Sequence, residues 1–229
     1  MIVELEKISK SYEIPGSNHR RIVLNDISLS IDSGDSVSIV GPSGSGKSTF
    51  LNIIGTLDKP DSGSVKFDKE NISEFHNTKL AELRNNNIGF VFQLHHLLPQ
   101  LNMMENILLP LIPQKNKKKQ KEAAQRAIVL LENVGLADNI FQRPGQLSGG
   151  ECQRAAVVRA LINEPELILA DEPTGSLDQE SAQQMGELLS KINKEHNITL
   201  VVVTHSMELA GKMNNMYSLS NGKLDLIKT

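Results

Sequence analysis

The chain reads as an α/β protein, on three observations. Two short apolar runs, 167–170 and 199–203, are bounded by polar residues and suit strands buried on both faces of a parallel sheet. Helical spacing dominates two longer stretches: Ala182, Met185, Leu188, Leu189 and Ile192 share a face in 178–194, and Ala124, Ala127, Ile128, Leu131 and Val134 share one in 117–134, ahead of Gly135. Strands alternating with helices define that fold class.

At 229 residues the chain is long enough for one large domain or one domain carrying an insert. Apolar residues at 39% and charged residues at 22% match an ordinary folded protein. A net charge of −3 supplies no basic field, and with no Trp and 3% aromatics there is little to stack on bases, so no nucleic-acid partner is expected. Cys152 is the single cysteine and cannot form an internal disulfide. No run reaches the 18 or so apolar residues of a membrane span. Residues 1–20 contain Glu4, Glu6 and Lys7 and no secretory apolar core, so the expected location is cytoplasmic.

In chain order, Ile27, Leu29 and Ile31 alternate with polar neighbours, Ser33-Gly34-Asp35 marks a turn, and Val37, Ile39 and Val40 follow. By pattern these form an antiparallel pair. A further apolar run, 88–92, ends at Gln93. Residues 94–150 lack β-branched runs and read as an α-helical subdomain inserted into a core made of 1–93 and 151–229. Lys115, Lys117, Lys118, Lys119 and Lys121 cluster there. A solvated helix start and a contact with an anionic membrane surface are the two readings of that cluster.

The chemistry starts at Gly41-Pro42-Ser43-Gly44-Ser45-Gly46-Lys47-Ser48-Thr49, which fits G-x-x-x-x-G-K-[ST] between a strand ending at Val40 and the apolar stretch 50–57. Its glycines let successive N–H groups face one anion, and the helix that follows adds its positive dipole end. Lys47 suits β- and γ-phosphate oxygens, and the Ser48 hydroxyl suits Mg²⁺. The strand 167–170 runs into Asp171-Glu172. Because ligands gather at the carboxyl ends of parallel strands, these acids are expected in the same crevice, Asp171 toward Mg²⁺ and Glu172 as base for a water. His205 leaves strand 199–203 at that edge as a γ-phosphate contact, and Gln93 offers a neutral amide to Mg²⁺ or water.

Leu147-Ser148-Gly149-Gly150-Glu151 opens a second helix, with Ser148 and Glu151 spaced as a capping box. It is a second place equipped to hold an anion. With this segment the chain resembles the ATP-binding cassette ATPases along essentially its whole length: the phosphate loop, Gln93, the 147–151 signature, Asp171-Glu172, the loop Ser176-Leu177-Asp178 and His205 stand in that family's order. The resemblance implies a P-loop NTPase (RecA-like) core with an N-terminal antiparallel β subdomain and an inserted α-helical subdomain. It also implies ATP and Mg²⁺ as cofactors and a homodimer in which Ser148, Gly149 and Gly150 of one copy close on the nucleotide of the other. Tyr12 matches the position whose ring stacks on adenine. Ser176 to Asp178 resembles the dimer-contact loop.

Such a cassette takes its membrane domain from integral membrane subunits, expected to dock near residues 93–108, where Leu97, Leu98, Leu101, Met103, Met104, Ile107 and Leu108 supply apolar surface. Glu82-Leu83-Arg84-Asn85, the stretch Gln93 to Pro99 with His95-His96, and Arg143-Pro144 resemble the ATP-binding subunits of lipoprotein-releasing systems. That implies a peripheral protein on the cytoplasmic face of an inner membrane. Macrolide and peptide exporters share part of these stretches, and a non-transport cassette signalling to an envelope or cell-division partner would use the same ATPase residues. Two positions depart from the pattern: Cys152 where Gln or Arg is usual, and Ser206 where an acid is.

Overall fold

In a computed structural model, which describes residues 1–14, 16 and 19–228, the chain forms two sheets and the helices around them. Strand β1 (Val3–Glu13) buries Val3, Leu5 and Ile8, and β2 (Arg20–Ile31) buries Leu24, Ile27, Leu29 and Ile31, so each carries one apolar face. They pair antiparallel, Val3 opposite Ile31, and β4 (Ser62–Phe67) and β5 (Glu70–Asn71) extend the sheet in the order β2-β1-β4-β5.

The second sheet comprises β3 (Ser36–Val40), β6 (Ile88–Phe92), β7 (Leu167–Asp171), β8 (Thr199–Val203), β9 (Asn215–Ser220) and β10 (Lys223–Lys228). Its order is β10-β9-β3-β8-β7-β6, parallel except for the β9–β10 hairpin. The two runs expected in a parallel sheet, 167–170 and 199–203, are adjacent central strands, buried almost throughout.

The antiparallel pair expected between 27–31 and 37–40 is not made. The turn exists, with Asp35 N–H donating to the Asp32 carbonyl at 3.2 Å, but it carries the chain from one sheet to the other. Ser36 and Ser38 look like solvent positions in an alternating strand, yet they are 3% and 0% exposed. Their hydroxyls are satisfied internally: Ser38 Oγ donates to the Ala210 carbonyl at 3.1 Å, and Ser36 Oγ accepts from Asn214 N–H at 3.0 Å. A strand buried on both faces belongs between parallel neighbours, where β3 sits against β8 and β9.

The helices are α1 (Lys47–Ile54), α2 (Asn77–Asn87), α3 (Met103–Leu108), α4 (Lys117–Asn133), α5 (Gly149–Leu161), α6 (Gln179–His196) and α7 (Met207–Gly211). Met185, Leu189 and Ile192 of α6 are buried as their spacing requires. In α4 the buried stripe is Ala123, Ala127 and Leu131, while Ile128 is 41% exposed, so the expected face is rotated. The lysines at the start of α4 are exposed.

Helix α5 joins two cores. Cys152, Ala155 and Val158 pack with Met103, Ile107 and Leu131 of the helical segment, and Val157 and Leu161 pack with Ile168 and Val202 of the sheet. It lies so close on β6 that a Cβ at Gly89 would meet the Ala160 carbonyl oxygen at 2.6 Å. Backbone cannot yield as a side chain does, so Gly89→Val is expected to cost about 1–3 kcal/mol in urea unfolding. An unchanged midpoint would show that β6 and α5 adjust freely. Among the described residues no helix is long and apolar enough to cross a membrane.

Candidate functional site

The parallel sheet brings the carboxyl ends of β3, β7 and β8 to one edge, and residues far apart in sequence meet there. From β3 the chain curls through 41–46 into α1. Gly46 has φ +104°, and a Cβ there would lie 2.6 Å from Val23 Cγ1, so both the left-handed backbone and the packing require glycine. Helix α1 starts without a side-chain cap, leaving its first-turn N–H groups for an anion. Ser45 Oγ is buried without a hydrogen-bond partner among the described residues. An uncapped helix start beside an orphaned hydroxyl fits a phosphate-bearing ligand.

Lys47 is 8% exposed and folds back on its own loop. Its Nζ donates to the carbonyls of Gly41 at 2.9 Å and Pro42 at 3.2 Å, and lies 3.9 Å from Glu172 Oε1. Ser48 Oγ donates to Asp171 Oδ1 at 3.2 Å. That hydroxyl–carboxylate pair is a set of hard oxygen donors and suits a small divalent cation.

Glu172 is the most constrained side chain of the site. Its Oε2 accepts from Thr204 Oγ1 at 3.1 Å and from the His205 N–H at 3.1 Å, and His205 Nδ1 stands 2.9 Å away. Its φ of +45° is a left-handed conformation that a non-glycine residue holds only when the surroundings enforce it. The carboxylate is therefore aimed by two strand ends at once.

Burial chiefly, and then the neighbouring Glu172 charge, push the Asp171 carboxyl above its ordinary range, while the Ser48 hydrogen bond and Lys47 pull it partly back. A carboxyl raised by folding opposes the folded state once ionised. The penalty sets in as pH rises through the unfolded value and is complete above the folded one. Asp171→Asn is thus expected to melt higher than the parent at pH 7 without nucleotide, while its Mg²⁺-dependent turnover falls. A lower melting temperature would contradict the sign.

An open cleft of about 490 Å³ gathers Tyr12, Ser43, Gly44, Gly46, Lys47, Ser48, Thr49, Gln93, Glu172 and His205. Arg21 and Val23 of β2 also line it, and Arg21 Nη2 donates to the Gly44 carbonyl at 2.9 Å. Neither they nor Thr204 stood out in the sequence. Thr204 had a signal in directly preceding His205 at a strand end, whereas Arg21 reaches the loop only because the first sheet packs against the second.

Gln93 follows β6 at the cleft wall, and the carbonyls of Phe92, Gln93, His95 and His96 are held. Gln153 Nε2 of α5 donates to the Phe92 carbonyl, Arg159 donates to those of His95 and His96, each at 2.7 Å, and Ser176 Oγ donates to that of Gln93 at 3.0 Å. Arg159 thus holds the backbone of the histidine pair, while the His95 ring accepts from Leu97 N–H through Nδ1 at 3.1 Å and the His96 ring meets Phe92 edge-on.

Ser148, Gly149 and Gly150 are not among the residues lining this cleft. They start α5 with both halves of the capping box formed: Glu151 N–H donates to Ser148 Oγ at 3.2 Å, and Glu151 Oε2 accepts from Ser148 N–H at 2.7 Å. The Ser148 backbone bond, followed by its hydroxyl, holds the Glu151 carboxyl below its ordinary range. Ser148 and Gly149 are exposed, but Gly150 is buried against Ser181, whose Oγ a Cβ would meet at 2.9 Å.

The apolar surface expected at 93–108 lies largely inside. Leu97, Met103 and Ile107 are buried core, whereas Leu94 and Leu98 are exposed. The capping box of Asn102 and Glu105 turns α3 inward, and buried Asn106 ties it to the Leu98 and Leu101 carbonyls. A groove exists beside this segment, but Leu57, Arg84, Phe90, Phe92, Pro110 and Arg159 line it. Cys152 is buried, with Sγ 3.6 Å from the Pro144 carbonyl, and Ser206 caps α7 by accepting from Leu209 N–H.

A phosphate loop, a carboxylate fixed by two strand ends and a glycine-bearing second helix start together define a nucleotide-hydrolysing cassette. The ABC transporter family model matches residues 24–175, and the chain belongs to that family. Among curated proteins it is 44% identical to the lipoprotein-releasing system ATP-binding protein LolD of Geobacter metallireducens, over 97% of each chain. It is 44% identical to that of Coxiella burnetii, covering 97% of this chain and 94% of the relative. It is also 46% identical to the uncharacterized ABC transporter ATP-binding protein YknY of Bacillus subtilis, over 97% and 95%. The fold superposes with TM-score 0.87 and 38% identity on a dimeric post-hydrolysis state of the ATP-binding cassette MJ0796 bound to ADP and Pi, covering 99% and 98% of the two chains. This chain is an ATP-hydrolysing subunit of an ABC transporter.

Proposed function

We propose that the chain powers release of lipoproteins from a bacterial inner membrane, as a homodimer bound peripherally to the cytoplasmic face of its integral membrane subunits. Near-full-length identity to proteins named for lipoprotein release supports the cargo. The dimeric cassettes that share its fold support the assembly.

The hydrolytic roles follow from the crevice. Lys47 exchanges its own loop carbonyls for β- and γ-phosphate oxygens, with the N–H groups from Gly41 to Thr49 around them. Ser48, Asp171 and Gln93 would hold Mg²⁺, which would supply charge neutralisation on the phosphates. Glu172 takes the proton of the attacking water, aimed by Thr204 and His205, and His205 also contacts the γ-phosphate. Tyr12 stacks on adenine. Ser148, Gly149 and Gly150 complete the partner's pocket, which accounts for an anion-ready helix start outside the cleft of its own chain. Loss of the shared γ-phosphate removes the differential affinity for the closed dimer, and the membrane subunits follow the reopening.

The observation that carries the transport reading is the groove of Phe90, Phe92 and Arg159 beside Gln93, which fits a short helix of a membrane subunit. Purifying the complex from its native membrane tests it. A co-purifying subunit with few spanning helices and a large extracytoplasmic domain is expected, and the reconstituted complex should release lipoproteins from vesicles on ATP addition. A many-helix permease, or export of a small molecule in place of lipoprotein, would overturn it.

A further inference from the structure

Tyr12 stands near the end of β1, half exposed at the cleft, where a phenol ring would ordinarily be free to swing. It is held at two points. Its hydroxyl donates to Asp58 Oδ2 at 2.7 Å and lies 3.4 Å from Thr49 Oγ1. Lys10 Nζ sits 5.3 Å from the ring centroid, within reach of the π face.

Asp58 is fixed in turn. Its Oδ1 accepts from Lys10 Nζ at 2.7 Å and from the Lys59 N–H at 2.7 Å. Lys10 also donates to the Lys59 carbonyl at 2.6 Å and reaches Asp61 Oδ1 at 4.0 Å, with its side chain 11% exposed. An ammonium largely withdrawn from solvent and hydrogen-bonded to a carboxylate and a carbonyl, with a second carboxylate at 4.0 Å, is a firm anchor, because moving it would cost it those partners. Asp58 follows the end of α1, the helix whose first turn carries Lys47, Ser48 and Thr49. The anchor therefore ties the ring to the element that holds the phosphates.

Resting on the reading that Tyr12 is the platform for the base, we propose that Asp58, locked by Lys10, is a positioning residue that presets the Tyr12 ring for the nucleotide base at a fixed offset from the phosphate loop. Affinity gained this way comes from ordering the ring before the ligand arrives. It acts on ligands that carry a base and on no others.

Isothermal titration of the full chain with ATP and with inorganic tripolyphosphate tests this. Tyr12→Phe keeps the ring and the Lys10–Asp58 pair, and Asp58→Asn removes the charge that holds both. Each is expected to weaken ATP about 3- to 10-fold, the worth of one hydrogen bond, and to leave tripolyphosphate unchanged. KM for ATP should rise with kcat intact, and the double variant should be no weaker than Asp58→Asn alone. If Tyr12→Ala weakens ATP but Tyr12→Phe and Asp58→Asn bind like the parent, the platform stands and the preset ring is rejected. If Tyr12→Ala itself leaves ATP binding untouched, the platform falls and the inference with it. Equal loss of ATP and tripolyphosphate in Asp58→Asn would show that Asp58 serves only the fold of α1, which also overturns it.

Discussion

Glu172→Gln is expected to bind ATP, form ATP-dependent dimers and fail to turn over. The amide keeps the size of the carboxylate, and its oxygen can still accept from Thr204 and the His205 N–H, so the aim of the side chain survives. What is lost is the capacity to take a proton, and removing a positioned general base costs about 10²–10⁴-fold in rate. The loss of negative charge 3.9 Å from Lys47 also leaves that ammonium freer to bind phosphate. Single-turnover hydrolysis and light scattering with ATP check both halves. Near-normal cleavage would remove Glu172 from the role of base, and failure to dimerise would make it a structural residue.

The second large effect concerns the glycine-bearing start of α5. Ser148→Arg and Lys47→Ala are each expected to be inactive alone and to regain measurable turnover when mixed. In a mixed dimer one pocket pairs the intact phosphate loop of the first variant with the intact Ser148 of the second, while the other pocket carries both lesions. Recovery would show that Ser148 acts across the interface, in keeping with its exposure and its place outside the cleft of its own chain. A mixture as dead as its components would place Ser148 in the service of its own subunit. Since Ser148 is exposed, the arginine adds bulk at the surface without disturbing the core, and unaltered ATP binding by the lone variant should confirm that.

Much of the site is legible in the sequence because its parts sit at strand exits. The phosphate loop, Asp171, Glu172 and His205 directly follow or end short apolar runs, and parallel strands put all such exits on one edge. The capping box of Ser148 and Glu151 is readable for a different reason: it is local, with both partners three residues apart. Arg21, Asp58 and Gln153 are not legible. Their partners lie 23, 46 and 61 residues away, and nothing in their own neighbourhoods marks them.

By itself the amino-acid sequence determined the α/β class, the central strands β7 and β8, the helices α4 and α6, and the strand-exit positions of the phosphate loop and Asp171-Glu172, since periodicity and strand-exit motifs are short-range properties. Tertiary structure alone decided that β3 leaves β2 for the parallel sheet, because the hydroxyls of Ser36 and Ser38 find partners only once α7 and β9 cover them. It also decided that Leu97, Met103 and Ile107 turn inward while Leu94 and Leu98 stay exposed, and that the groove beside this segment is lined by β6, α2 and α5 together with Leu57 and Pro110. Which face of a strand or helix is buried depends on what packs against it, and that is a property of the assembled layers.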